Sequence, residues 1–220
     1  MTEPQKGRSR TKKVVASRNS PARPKMDRRV RRTRDALGDA LVKLMHEKPF
    51  DAITVQDVLD RAGVARSTFY VHYRDTDDLL MSDAEEFFES LSTALSRQGD
   101  CSERVAPVQE FFTHVAEVRK FVAALFASGR GAANMDLAQG HFARGIERRL
   151  AELPRGRDIP ADQRPARAQA HAGALIALLK WWINRGMRET PAELDDLFHR
   201  MVWGGAYERA KGGQLRWLHP

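Results

Sequence analysis

The sequence predicts an all-α fold on three observations. Every long segment beyond about residue 27 repeats its apolar residues at helical spacing, and no alternating strand pattern of convincing length appears. Residues that start and stop helices fall between the apolar stripes rather than within them. At 220 residues the chain is one large domain or two small ones, on a scale of about 100 to 200 residues per domain.

Residues 1 to 25 are Pro, Ser, Gly, Lys and Arg, with Val14 and Val15 as the substantial hydrophobes. So little apolar surface cannot offset the entropy of ordering, and a disordered arm is expected over residues 1 to 26. Helical periodicity begins near Asp27: Val30, Leu37, Leu41 and Leu44 share a stripe, with Arg29, Arg32 and Asp39 off it, and the pattern ends before Pro49. A short second helix, Val55 to Ala62, is capped by Thr54 and sided by Val58, Leu59 and Ala62. Gly63 and Val64 make a turn, and Ala65 to Tyr73 form a third helix anchored by Phe69 and Tyr73.

Asp75 is the expected cap of a helix from Thr76 to about Arg97, carrying Leu79, Leu80, Phe87, Leu91 and Leu95. Val105 to about Ser128 reads as helical with a break near Glu117 to Lys120, followed by a loop at Gly129 to Ala133 and a helix from Met135 to Leu153. Pro154 to Pro160 is expected to be a flexible connection. Arg164 to Met187 is apolar almost all round between Ala170 and Ile183, so it must be covered on two sides, and a second copy of the chain is a natural second cover. Pro191 opens the last helix, with Leu194, Leu197, Phe198, Met201 and Val202. The resulting division is an arm at 1–26, a three-helix head at 27–75 and a helical body at 76–220.

The formal net charge of +8 is concentrated at one end. Residues 1 to 34 hold thirteen Lys or Arg against Glu3 and Asp27, a local balance of +11; the remainder, with 24 basic and 27 acidic residues, carries −3. A basic arm on a nearly neutral body is the footprint of a polyanion binder. No run approaches the roughly 18 apolar residues of a spanning helix, the arm has no apolar face for a membrane, and the first twenty residues have no apolar segment of the secretory kind. Cys101 alone makes neither a disulfide framework nor a Cys-based metal site, so a reducing, cytoplasmic home is expected.

The strongest constellation is the twenty-residue stretch from Thr54 to Tyr73, a helix, a Gly-containing turn and a second helix. Two short helices that cross steeply need Gly63 at the turn and the small Ala62 and Ala65 at the crossing. The second helix then turns Arg66, Ser67, Thr68, Tyr70 and His72 outward, and Arg and hydroxyl groups so placed reach base edges and phosphates in a major groove.

From about Arg32 to Leu80 the chain resembles the DNA-binding domain of the TetR (tetracycline repressor) family. The residues that carry it are Ile53-Thr54-Val55, Val58, Ala62-Gly63-Val64, Ser67-Thr68-Phe69-Tyr70, His72-Tyr73 and Asp77-Asp78-Leu79-Leu80. The resemblance implies that Thr54 caps the second helix at the phosphate backbone, that Tyr70 and His72 touch phosphates, and that Arg66, Ser67 and Thr68 face bases. Gln56, with Arg28, Arg29 and Arg32 of the first helix, completes the expected DNA-binding set. Thr76 stands where family members usually have a lysine that meets a phosphate, so a contact there falls to a hydroxyl or a helix N-terminal amide. The implied architecture is an N-terminal helix-turn-helix DNA-binding domain followed by a helical effector-binding and dimerisation domain. The implied function is a homodimeric transcriptional repressor, released from a near-palindromic operator on double-stranded DNA by a small-molecule effector.

Leu178 to Leu194 resembles, less specifically, the dimer-forming region of such regulators, and Leu175, Ile176, Leu178, Leu179, Trp182, Phe198, Met201 and Val202 are the expected dimer residues. Trp181 and Trp182 project about 100° apart on a helix, so one faces inward when the other faces a seam. Phe111, His114, Phe121, Phe126, His141, Phe142 and Trp181 are the expected effector residues, being aromatic with a few polar tips. The stripes contain no clear Arg or Lys, which favours a neutral or weakly polar effector over a strongly anionic one.

His114, His141 and His171 have no i, i+3 or i, i+4 partner, so neither a metal nor a cofactor is expected. Gly129-Arg130-Gly131 lacks the ending of a phosphate loop, and no nucleophile-and-base set stands out. Two rivals remain: a nonspecific nucleic-acid binder using mainly the arm, and a helical enzyme whose basic arm is incidental.

Overall fold

A computed structural model describes residues 28–97 and 99–207. The arm expected over residues 1 to 26 lies outside them. The elements are α1 (Arg28–Met45), a 3-10 turn (Phe50–Ala52), α2 (Val55–Ala62), α3 (Arg66–His72), α4 (Thr76–Ser92), α5 (Ala94–Arg97), α6 (Val108–Glu117), α7 (Arg119–Ala127), α8 (Gly131–Glu152), α9 (Pro154–Arg157), α10 (Arg164–Asn184) and α11 (Pro191–Tyr207). The described residues contain helices and no strand, and the all-α reading stands.

Two apolar cores organise them. In the head, Leu37, Leu41 and Leu44 of α1 meet Val58, Leu59, Phe69, Tyr73 and Leu79, and Leu125 reaches this cluster from α7. Phe69 is fully buried, a burial that stabilises by about 1.5 to 3 kcal/mol. In the body, α8 packs along α10 and α4, and α11 along α6. Phe111, Phe112, Phe142, Ile146, Leu175, Leu179, Trp182 and Phe198 form that core.

The head follows its local signals. Thr54 and Asp57 form a capping box: the Thr54 hydroxyl accepts the Asp57 amide at 3.2 Å while the Asp57 carboxylate accepts the Thr54 amide at 2.8 Å. Gly63 closes α2 in the left-handed region at φ 65, and Asp75 caps α4 by accepting the Asp78 amide at 2.7 Å. The 3-10 turn at Phe50–Ala52 carries no clear pattern in the sequence.

The body departs from expectation at four places. The helix expected from Thr76 to about Arg97 stops at Ser92, where the Thr93 hydroxyl donates back to the Glu89 carbonyl at 2.8 Å. α8 starts at Gly131, inside the expected loop. This glycine serves close packing, because a Cβ there would lie 2.4 Å from the Phe126 ring. The expected connection at Pro154 to Pro160 holds the short α9, with Pro154 in its first turn. α10 ends at Asn184 because Gly186 and Met187 turn to φ 78 and 59, and the Met187 amide returns to the Trp182 carbonyl at 2.9 Å. The expected break in the Val105 to Ser128 segment is at Val118, between α6 and α7.

Long-range polar links brace the body. Arg149, 5% exposed, donates to the carbonyls of Asp100, Ser102 and Arg104 at 2.6, 2.8 and 3.0 Å. Arg104 in turn bridges Glu110 and Asp195. The Trp203 indole donates to the Glu103 carbonyl at 2.9 Å, a hundred residues away.

α10 is less exposed than an all-round apolar helix on a surface would be. Leu175, Ile176, Leu179 and Trp182, with Phe198 and Val202 of α11, are buried inside the protomer and cannot themselves meet a second copy in this arrangement. Of the expected dimer residues, Met201 is exposed and Leu178 half-buried. The outward stripe is instead Ala166, Ala170, Ala177 and Trp181, continued on α11 by Leu197 and Met201. The small side chains of α10 let α8 pack close on one face and leave a shallow face on the other.

Candidate nucleic-acid interface and neighbouring cavity

α2 and α3 present the expected interface. Phe69 and Tyr73 hold α3 from inside, their ring centroids 5.7 Å apart, and Arg34 Nε donates to the Tyr73 hydroxyl at 2.9 Å, tying α3 to α1. With that anchor, Arg66, Ser67 and Tyr70 face solvent, and Thr68 and His72 are half-buried. The Arg66 guanidinium lies 5.9 Å from the Tyr70 ring centroid, so the two share one outward face. No acidic residue lies on α3. Val71, 76% exposed, is the position the sequence reading missed; its spacing four residues after Ser67 places it on the same face, where an apolar side chain can meet a thymine methyl.

Around this face the acidic groups are occupied. The Lys48 ammonium, 2.8 Å from Asp57, and the Thr54 bonds hold the Asp57 carboxyl far below the usual carboxylate range. Arg61 and Glu47 form a two-pronged pair at 2.8 and 2.7 Å, which lowers the Glu47 carboxyl. Gln56 is exposed on α2, its amide donating to Asp60 at 2.7 Å. Thr76 is the half-buried first residue of α4, and Arg28, Arg29 and Arg32 are exposed on α1.

Between head and body lies a cavity of about 400 Å³, walled by α1, α4, α6, α7, α8 and α10. Its body end is aromatic: Phe87, Phe88, Phe111 and Phe121, with His114 against Phe87 at 4.4 Å between centroids. Burial pushes the His114 imidazole below its ordinary value. Its head end is polar, with Asp39 and Lys43 from α1 and Asp83 from α4, and Asn134 of α8 also lines it.

The expected effector residues divide three ways. Phe111, His114 and Phe121 line the cavity. Phe142 and His141 are buried behind it, Phe142 at 4.9 Å from the Phe111 ring and His141 at 6.5 Å from the Phe88 ring. His141 Nδ1 lies 3.4 Å from the Glu89 carboxylate, and burial, with Arg144, pushes the imidazole below its ordinary value against the opposing pull of Glu89. Phe126 and Trp181 lie elsewhere: Phe126 edges an open groove with Arg119 and Lys180, and Trp181 is exposed beside Arg185. Sequence periodicity missed Asp39, Asp83, Phe87, Phe88 and Asn134, and it placed Leu179, another lining residue, at a dimer seam. Asp39 lies off the α1 apolar stripe, so its role as a wall emerges only when α4 packs alongside.

One arginine links the cavity wall to the head. Arg130, just before α8, pairs with Asp77 at the start of α4 and with Asp51 at 2.8 Å, and its guanidinium lies 4.0 Å over the Phe50 ring. Its carbonyl accepts the Asn134 side-chain amide at 3.3 Å. Among the described residues no group of three potential ligands is placed to hold a metal ion, and no helix is long and apolar enough to cross a membrane.

Comparison with known proteins bears on both regions. Residues 37–82 match the family model described as bacterial regulatory proteins, tetR family, and residues 107–204 match one described as transcriptional regulator C-terminal region. An uncharacterized HTH-type transcriptional regulator of Bacillus subtilis (strain 168), YxbF, is 40% identical over 58 residues; the match spans 26% of this chain and 15% of that one. The solved structure of a TetR transcriptional regulator from Streptococcus agalactiae 2603V is 28% identical, with a TM-score of 0.54 over 80% of this chain and 96% of the other. RolR, solved with resorcinol, shares the fold at 20% identity and a TM-score of 0.54, covering 80% of this chain and 88% of its own.

Proposed function

The chain belongs to the TetR family of DNA-binding transcription regulators, and on that premise we propose that it is a homodimeric repressor that a small organic effector releases from a near-palindromic operator. The observation that carries this reading is the junction: a helix-turn-helix whose exposed Arg66, Ser67 and Tyr70 face outward shares α1 and α4 with the walls of an aromatic cavity. A molecule in that cavity touches the head directly. RolR, of the same fold, was solved with an aromatic ligand, which supports an organic effector for a cavity lined this way.

In a two-fold dimer the two α3 helices sit about 34 to 36 Å apart, one turn of DNA. The outward stripe of Ala170, Ala177, Trp181, Leu197 and Met201 supplies the seam, since it is the apolar surface of α10 and α11 left open in the protomer. An effector that prefers a conformer with different α3 spacing by a few kcal/mol empties the operator. Arg130 is the mechanical link, because Asn134 on the cavity wall bonds to its carbonyl while its side chain holds Asp51 of the head and Asp77 at the start of α4. The work of such a protein is in the cytoplasm, on the chromosome.

Footprinting tests the reading. Fragments of the source genome retained by the purified protein should carry two protected half-sites about one helical turn apart, bound by a dimer. Random-sequence competitor that displaces them equally well would instead favour binding mainly through the basic arm.

A further inference from the structure

We propose that the cavity takes an organic cation, a flat aromatic or otherwise apolar molecule bearing one protonated amine, with its rings against Phe87, Phe88, Phe111 and Phe121 and its ammonium at Asp83 beside Asp39. This deepens the effector reading and rests on it. The cavity is polarised: aromatic at its body end and carboxylate-bearing, from two separate helices, at its head end.

Asp83 is the centre of the case. Among the described residues no hydrogen bond and no oppositely charged group within 4 Å reaches its carboxylate. It lies against α1 at Gly38, where a Cβ would come within 2.7 Å of Asp83 Oδ1, so the absence of a side chain there admits the carboxylate. Burial, Glu86, Asp39 and Asp35 all push its pKa up, and Arg34 alone opposes them. Arg34 is itself committed to Glu86 at 2.7 Å and to the Tyr73 hydroxyl at 2.9 Å. A half-buried carboxylate without a close cation is costly, and a ligand that brings one offsets the cost.

The other groups agree with a positive guest. Lys43, the cationic residue in the lining, and Asp39, one turn before it on α1, are both exposed at the rim, and burial pushes the His114 imidazole down, against a charged form. Aromatic faces attract an ammonium through their quadrupole. Asn134, 4% exposed, gives its side-chain nitrogen to Arg130 and Met81, and among the described residues nothing donates to its Oδ1, which leaves an acceptor for a ligand N–H. An anion would meet Asp39 and Asp83, and a bare metal ion would find apolar walls and too few ligands.

Calorimetry of the full-length protein at pH 7 with three isosteric probes tests this: 4-phenylbenzylamine, 4-phenylbenzyl alcohol and biphenyl-4-carboxylate. The amine should bind about tenfold or more tighter than the alcohol, and the acid weakest. Asp83→Asn should bring the amine to the level of the alcohol without changing the alcohol, and Asp39→Asn should do so in part; unchanged circular dichroism shows that both variants fold. Equal binding of all three probes, indifferent to Asp83→Asn, would overturn the charge preference and leave the effector cavity standing. Tightest binding of the acid would overturn it too. Binding of none would overturn the effector cavity itself and the proposal with it.

Discussion

The helix ends of the head are set by bonds between near neighbours in sequence, with Arg34 to Tyr73 and Arg61 to Glu47 as its longer ties, whereas the polar links of the body span it. Thr54 with Asp57, Gly63 at its turn and Asp75 with Asp78 each act within three or four residues. In the body, Arg149 gathers carbonyls 45 to 49 residues away, Arg104 reaches Asp195, and Trp203 reaches Glu103. Local bonds set the ends of the short helices that present α3, while the long-range links tie the 100–104 segment to α8 and α11. The two regions therefore differ in what a substitution can break.

The largest effect is expected where one buried side chain makes several long-range bonds. Arg149→Met leaves three carbonyls without their donor and should cost about 3 to 5 kcal/mol in denaturant unfolding. A loss under about 1 kcal/mol would mean that these carbonyls find water freely and that the body is braced by packing alone. Arg130→Ala, which removes two ion pairs and the contact over Phe50, should cost less, about 1 to 2 kcal/mol. It should also blunt effector-driven release from DNA while leaving effector affinity in place. Release that is unaltered would sink Arg130 as the link between the regions.

In the head, Thr54→Ala removes one cap and should cost about 1 kcal/mol, read by thermal unfolding. A cost as large as that of Arg149→Met would erase the contrast between local and long-range bracing. The smallest effect is a pH-dependent one at Asp83. Its folded pKa is raised, so protonation favours the folded state; the penalty on its ionised form is absent below the unfolded value of about 3.9 and is fully present above the folded one. Asp83→Asn should therefore raise the melting temperature slightly at pH 7, with the gain fading toward pH 4. A gain of equal size at both pH values would place its cause in packing rather than charge.

The same contrast explains what the sequence disclosed. Caps, the Gly63 turn and the outward face of α3 are written in adjacent letters, so the fold of the head and the exposure of Arg66, Ser67 and Tyr70 were legible, while the exposed Val71 was not. In the body the letters give amphipathicity but not the direction in which a stripe faces. α10 has apolar residues on several sides, and only the packing of α8 decides that Trp182 goes inward and Trp181 outward. Gly131 looked like a loop residue because its reason, the Phe126 ring, is a three-dimensional one. The acidic end of the cavity was hidden for a similar cause. Asp39 belongs to the head and Asp83 to the body, and neither is part of an apolar pattern.

The central claim is that α3 reads sequence, and Arg66→Ala tests it most directly. Affinity of the wild type and the variant would be measured by fluorescence anisotropy, at one fixed salt concentration, on a genome-selected operator and on a random duplex of equal length. Because Arg66 is exposed on the outward face and free of acidic neighbours on its helix, the variant should lose about 1 to 3 kcal/mol on the operator and little on the random duplex. Equal loss on both would contradict the claim, reducing Arg66 to a phosphate contact and the helix-turn-helix to a scaffold for the basic arm.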